Sequence, residues 1–360
     1  GWLAPGGPHT GPCSDAGRNP VRRDGRARGD GTMSLTQLQL SYFGKLPSRG
    51  DFVKSANNVQ LLDTLDRWLA QGMELLAEAP DWKTTYDTWK PVQFAFLGSQ
   101  SRLAIAGTLM ASSDLSSRRF PFLTAAAMEV DRPISFIARS PIALARLWTR
   151  AGQQMISLSQ ASDATEGLRL LAEGQHSVET DNGTQAYDAS FSDFIDFQTV
   201  SGLEQMLRAE GHNIRLRRTL LALGTLLQPV MSNGSSRLEK GLTLPLPADP
   251  LYRSLVASFW LELVSRFLQR ADFELSLFLG EINGAERLVI GFNGASSRTL
   301  HSVMSPLAYA EQNINIDDPE WVDQHVSGEY GLAKFVSYLD QPQLSLRVAV
   351  DTFREVFIGE

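Results

Sequence analysis

Asn283-Gly284 stands between two apolar runs, Glu274 to Leu279 and Arg287 to Phe292, and is a strong signal for a two-residue turn joining antiparallel strands. A second pair of runs, Val92 to Leu97 (bounded by Gly98) and Arg102 to Met110, turns through Ser99 to Ser101 and reads as another hairpin. Phe120 to Met128 is predicted as a third strand of the first half and Ile134 to Ala138 as a fourth. A chain built on two hairpins needs cover for their apolar faces, and the remaining sequence supplies it as helices.

Leu61, Leu65, Trp68, Leu69, Met73 and Leu76 recur at helical spacing from Asn58 onward, and Pro80-Asp81 ends that run before a Trp-rich connection with Trp82, Tyr86 and Trp89. Pro141 is read as the first turn of a helix carrying Leu144, Leu147, Trp148, Ala151, Met155 and Leu158. Ser159 to Gly167 and Glu173 to Gly183 read as loops, and helices follow near Phe191 to Phe197, Gly202 to Ala209 and Ile214 to Leu227. The prolines of Thr243 to Pro250 predict a semi-extended connector. Asp249-Pro250 then caps a helix with Leu251, Leu255, Phe259, Leu263 and Phe267 in one stripe. A last helix after Pro342 places Leu346, Val350, Phe353 and Phe357 on one face.

The halves share a pattern. Phe96-Leu97-Gly98 precedes Arg102-Leu103-Ala104-Ile105, Phe278-Leu279-Gly280 precedes Arg287-Leu288-Val289-Ile290, and each hairpin follows a Trp-bearing helix. The second α/β half is thus either a degenerate repeat of the first or a chance likeness between Gly-turn hairpins. On both readings the fold class is α+β, an antiparallel sheet with covering helices.

Composition narrows the functions. A net charge of −7 argues against nucleic acid as partner, and no run approaches the roughly 18 apolar residues of a membrane span, so direct membrane insertion is not expected. The single cysteine, Cys13, fits a reducing compartment. Residues 1–32, rich in Gly, Pro, Arg and Asp without apolar periodicity, are expected to be a disordered leader or cloning remnant ahead of Met33.

Two polar segments stand out. Tyr42-Phe-Gly-Lys-Leu-Pro-Ser-Arg-Gly-Asp-Phe-Val53 reads as a short strand, an exposed turn and a return to the core; its Arg-Gly-Asp is a turn, not an adhesion signal. Ala111-Ser-Ser-Asp-Leu-Ser-Ser-Arg-Arg-Phe-Pro-Phe122 is the second. Arg49, Asp51, Asp114, Arg118 and Arg119 flank strands of one sheet, and two readings stay open for them. Either the two loops recognise a protein surface, or the aspartates cap turns and bond the nearby arginines.

No Gly-x-Ser-x-Gly elbow, phosphate loop or metal-ligand spacing is present. His176, His212, His301 and His325 lie in dissimilar contexts and are expected at surfaces or turns; Asp317-Asp318-Pro319 is a helix start. No cofactor, metal or catalytic residue is assigned. In Arg215-Leu-Arg-Arg218 the arginines are expected to be solvated, with Leu216, Leu220, Leu223 and Leu227 facing inward; an acidic or phosphorylated partner is the alternative.

The first segment resembles the Gly-Lys-Leu-Pro-x-x-Gly-Asp-Phe signature that opens members of the TagF (ImpM) family, and the second resembles that family's Pro-Ser-x-Asp-x-x-Gly-Arg-x-Phe-Pro-Leu segment, with Ala111 for the Pro and Ser117 for the Gly. The resemblance covers about Ser41 to Leu158. It implies a longin-like N-terminal domain in a cytoplasmic, non-enzymatic repressor of type VI secretion that works after translation through the forkhead-associated (Fha) scaffold. It also implies a functional link to the PppA phosphatase, whose domain is missing here. Lys45, Ser48, Arg49, Asp51, Ser112, Asp114, Arg118 and Arg119 are the partner-binding candidates that follow. The domain division is 1–32 leader, 33–162 TagF-type domain, 163–248 helical connecting region and 249–360 C-terminal helix–hairpin–helix region. A structural subunit of the secretion apparatus is the rival reading, and a hydrolase a more distant one.

Overall fold

The computed structural model describes residues 35–180, 185–233, 238–270, 272–326 and 330–359, so the leader expected over 1–32 lies outside the described residues. The chain runs β1 (Leu35–Gln39), β2 (Ser41–Gly44), β3 (Val53–Lys54), α1 (Val59–Ala77), α2 (Trp82–Thr88), β4 (Val92–Gly98), β5 (Leu103–Met110), β6 (Phe122–Glu129) and the long helix α3 (Pro133–Gln160). Then come α4 (Thr165–Glu173), β7 (Gln175–Glu179), α5 (Gln185–Phe197), α6 (Val200–Ala209), α7 (Leu216–Asn233), β8 (Gly241–Pro245) and α8 (Pro250–Ser265). The rest is β9 (Glu274–Ile282), β10 (Ala285–Gly291), α9 (Ser297–Met304), α10 (Pro306–Gln312), β11 (Asn313–Asn315), α11 (Asp323–Val326), α12 (Tyr330–Leu339) and α13 (Leu346–Phe357).

Both predicted hairpins form, and they lie side by side. The sheet order is β11-β8-β10-β9-β4-β5-β6-β2-β3, with β4 and β9 paired antiparallel through Phe94 opposite Phe278. The β9–β10 turn closes through Asn283 at φ 53° and Gly284 at φ 78°, the left-handed pair that such a turn requires. All ladders of this sheet are antiparallel except β11 with β8. The α+β class is therefore the architecture observed.

Alternation along the strands sorts the core into two layers. Val92, Phe94, Phe96, Phe278 and Val289 face α1 and α9, where Leu61, Leu65, Trp68, Leu300 and Met304 are buried. Ala95, Leu97, Leu275, Leu277 and Leu279 face α3 and α8, with Leu144, Trp148, Phe259 and Trp260. The indole N–H groups tie the layers to the strands and loops: Trp148 donates to the Phe94 carbonyl at 3.2 Å, Trp260 to Pro245 at 3.0 Å and Trp68 to Ser296 at 3.3 Å. The Trp-bearing helices α1 and α8, each preceding a hairpin, thus cover opposite faces of the sheet. The likeness between the halves resides in the hairpins and does not extend to the helices ahead of them.

From Val256 to Ser265 every residue of α8 is buried, so this stretch of the helix is enclosed on all sides. Glu262 sits in that stretch at 4% exposure. Arg139 of α3 meets its Oε2 at 2.6 Å, and Arg354 of α13 and Arg266 meet its Oε1. Burial works to raise the Glu262 pKa, and the charges of Arg139, Arg354 and Arg266 overturn that and hold it low.

Several expectations change. Ile134 to Ala138 is the first turn and more of α3, which starts at Pro133; Pro141 lies inside the helix. The carbonyl that Pro141 leaves without its amide, on Ile137, accepts the Ser140 hydroxyl at 3.0 Å. The Trp-rich connection holds α2, and the loops read at Ser159 to Gly167 and Glu173 to Gly183 contain the start of α4 and strand β7, which pairs with β1. Thr243 to Pro245 belongs to β8, inside the sheet: the first proline falls at the strand's last position, opposite Arg287, where its missing N–H costs little. Leu216, Leu220, Leu223 and Leu227 are buried as expected, but the arginines beside them pair with the chain's own acids. Arg218 meets Asp318 at 2.7 Å and Asp323 at 2.5 Å, Arg215 meets Asp318 and Arg217 meets Asp323. None of the described helices is long and apolar enough to cross a membrane.

Candidate partner-binding site

The two polar segments meet because β2 and β6 are neighbours, with Gly44 opposite Phe122. Gly44, at φ 132°, lies so close to the β6 entry that a Cβ there would stand 2.0 Å from the Pro121 carbonyl oxygen. Only glycine permits that approach, which accounts for the Gly of one motif and the Phe-Pro of the other.

Asp114 is the centre of the loop pair. Its side chain is 0% exposed, and its Oδ2 lies 3.0 Å from the Lys45 ammonium and 2.7 Å from Arg118 Nε. Its Oδ1 accepts the amides of Ser116 at 3.0 Å and Arg118 at 2.9 Å. Burial works to raise the Asp114 pKa, but the Arg118 amide and the Lys45 and Arg118 side chains outweigh it and bring it to about 2. Arg118 also donates to the Gly50 carbonyl at 2.8 Å, Ser112 Oγ to the Lys45 carbonyl at 2.6 Å, and the Leu115 amide to the Arg49 carbonyl at 2.8 Å. One buried carboxylate therefore fixes both loops.

Ser117, where the resembling family has glycine, holds φ 61°. The turn keeps a glycine conformation with a serine in it. Its amide donates to the Asp114 carbonyl at 2.8 Å, which closes the turn.

The other candidates are held locally. Arg49 reaches Asp163 at 3.1 Å and Thr165 at the head of α4. Arg119 makes a two-bond fork with Asp87 at 2.7 and 2.6 Å, which lowers the Asp87 pKa. Ser112 exchanges bonds with the buried Tyr86 hydroxyl, its amide donating and its carbonyl accepting at 2.9 Å, and burial raises the Tyr86 pKa. Asp51 is exposed and accepts the Phe52 amide at 2.8 Å. Ser48 Oγ is buried and bonds no described residue. Lys45, Ser112, Asp114 and Arg118 thus form one cluster, while Asp51 stands at the tip and Arg49 and Arg119 look outward to α4 and α2.

What the loops leave open is apolar. Phe52 is 44% exposed and rests on Phe43 (5.4 Å) and Phe120 (4.9 Å), with the Lys45 ammonium 5.0 Å from its ring. Leu115 is 71% exposed. Each motif contributes one exposed apolar side chain from a turn otherwise made of polar and small residues. That contrast is visible in the sequence as Phe52 and Leu115 set among Pro, Ser, Gly, Asp and Arg.

His176 and His212, expected at the surface or in turns, are buried; burial presses both imidazoles below their ordinary range. His212 reaches the Leu246 carbonyl at 2.9 Å. The side chain of His325 lies outside the described residues. Among the described residues no group of His, Cys, Asp and Glu could hold a metal ion.

Residues 41–173 match the sequence model of a family described as TagF N-terminal domain, Type VI secretion system-associated. No curated protein matches the chain. Among solved structures it is similar to PA0076 from Pseudomonas aeruginosa PAO1, at 22% identity and a TM-score of 0.31, over 38% of this chain and 62% of that one. The likeness spans less than two thirds of that protein's length. The match begins at β2 and ends with α4, taking in both loops and everything that anchors them: over residues 41–173 the chain is similar to the TagF N-terminal domain family.

Proposed function

We propose that this chain is a non-enzymatic, post-translational negative regulator of type VI secretion. It acts in the cytoplasm by binding the system's forkhead-associated scaffold, and the paired loops form its docking surface. The observation that carries the reading is the Asp114 cluster: a family-matched segment spends a buried carboxylate, a buried lysine and an arginine on immobilising two surface loops. Loops held in one conformation lose little entropy on binding, which favours recognition. Phe52 and Leu115 supply the apolar contact and Arg118, 61% exposed at its side chain, the polar rim. The link to the PppA phosphatase belongs to the same proposal.

Co-purification of the chain with its cognate forkhead-associated protein tests the reading. Wild type is expected to form a complex and Leu115→Asp to lose it about tenfold or more, since an apolar contact at a hot spot carries at least that much. Leu115 is exposed, so the substitution leaves the fold intact. No complex with wild type sinks the proposal. In cells, excess chain should repress secretion and deletion of the gene should raise it; abolished secretion on deletion would favour a structural subunit instead.

A further inference from the structure

Outside the matched segment, the C-terminal end of α5 and the N-terminal end of α8 border a shallow groove of about 400 Å3 lined by Phe194, Phe197, Leu251, Tyr252 and Leu255. Phe197 is 85% exposed, Leu251 68% and Tyr252 40%. Scattered apolar side chains on a surface are ordinary, but three contiguous large ones in a groove mark an interaction site. The helical stripe of α8 predicted Leu251 as core; its first turn instead runs past the core into solvent.

The rim has one sign. Asp193, one turn before Phe197 on α5, is exposed and lines the groove, and Asp249, whose carboxylate caps α8 through the Leu251 and Tyr252 amides, stands just outside it. Neither is ion-paired with a described residue. Helix α5 carries Asp188, Asp193 and Asp196 and no lysine or arginine. Asp188 is met by Arg139 and Asp196 by Arg347, while Arg253, the cation of the first turns of α8, is taken by Glu286 and the Ala248 carbonyl. The groove therefore offers an apolar floor with one carboxylate, Asp193, unpaired among the described residues at its edge.

A second copy of the chain fits poorly. It would set acidic rim against acidic rim, and two partly exposed aromatics, each worth about 150–250 Å2 when fully buried, plus a leucine fall short of the roughly 800 Å2 per partner of a stable interface. A single helix needs only such a groove, with anchors at one-turn spacing. We propose that the α5–α8 groove receives an amphipathic helix of a partner protein whose apolar stripe is bordered by lysine or arginine. The site is separate from the signature loops and does not depend on their role.

A fluorescein-labelled synthetic leucine–lysine amphipathic helix, and a leucine–glutamate twin, titrated by anisotropy against the full chain, provide the test. The lysine helix is expected to bind, with Phe197→Asp and Leu251→Asp each weakening it about tenfold or more. Asp193→Lys should weaken the lysine helix and favour the twin, whereas Leu307→Asp, an exposed leucine elsewhere, should change nothing. Equal binding of both peptides by wild type, or wild-type affinity in Phe197→Asp, would overturn the proposal. So would sedimentation of the wild type as a dimer that Phe197→Asp dissolves, since the occupant would then be a second copy.

Discussion

Ser117 bears a backbone conformation that costs a residue with a Cβ about 1–2 kcal/mol. The hydrogen bonds of its turn are made by backbone groups and by Asp114, so Ser117→Gly keeps them all. After the larger chain entropy of glycine is subtracted, the variant is expected to be about 0.5–1 kcal/mol more stable, read as a raised urea midpoint with unchanged slope. Asp114 makes a second, pH-dependent prediction. Its pKa falls from an ordinary 3.8 to about 2 on folding, so its contribution is complete above pH 3.8 and disappears as pH falls toward 2. Wild type should lose stability across that window, and Asp114→Asn, already weakened at neutral pH, should show a flatter profile in urea titrations at successive pH values. The motifs announced these residues, but not their partners: Tyr86, Asp87, Asp163 and Thr165 lie on α2 and at the head of α4, which no periodicity revealed.

Among elements, legibility followed the amount of buried surface on each. Helices α1, α8 and α13 have stripes or caps that a reader can count: the Asn58 side chain accepts the Leu61 amide, Asp249 accepts those of Leu251 and Tyr252, and Ser345 accepts that of Val348. Helix α2 buries only Tyr86, too little for a periodic signal. In Ile134 to Ala138 the apolar run is too short to separate strand from helix, and Pro133 rather than Pro141 set the start. Strand β8 was hidden by prolines that in fact lie at and beyond its end. Glu262 is the element-scale feature with the largest expected effect, because it joins α3, α8 and α13 through arginines around one buried carboxylate. Glu262→Gln removes the charge that three arginines share, while Arg139 keeps Asp188 and Arg354 keeps contact with solvent, and is expected to cost about 1–3 kcal/mol by chemical denaturation.

At the scale of the whole molecule, two hairpins that the sequence presents as separate units become neighbours in one sheet, and nothing local could have said so. The ladder from Gln93–Leu279 to Gly98–Glu274 joins residues far apart in the chain, and the helices pair across it, α1 with α9 on one face and α3 with α8 on the other. The family-matched segment holds β2 to β6, in the order β4-β5-β6-β2-β3, so β4 is its outermost strand on that side. Taken alone, that segment would present six residues of largely apolar strand, Gln93 to Gly98, with free backbone groups, the template on which unwanted sheets grow. In this chain β9 occupies the position. The second half thus covers, whatever else it does, the edge along which the matched segment would otherwise be open to pairing, and a protein made of that segment alone would need another device there: a charged strand, a bulge, or a strand lent by a partner.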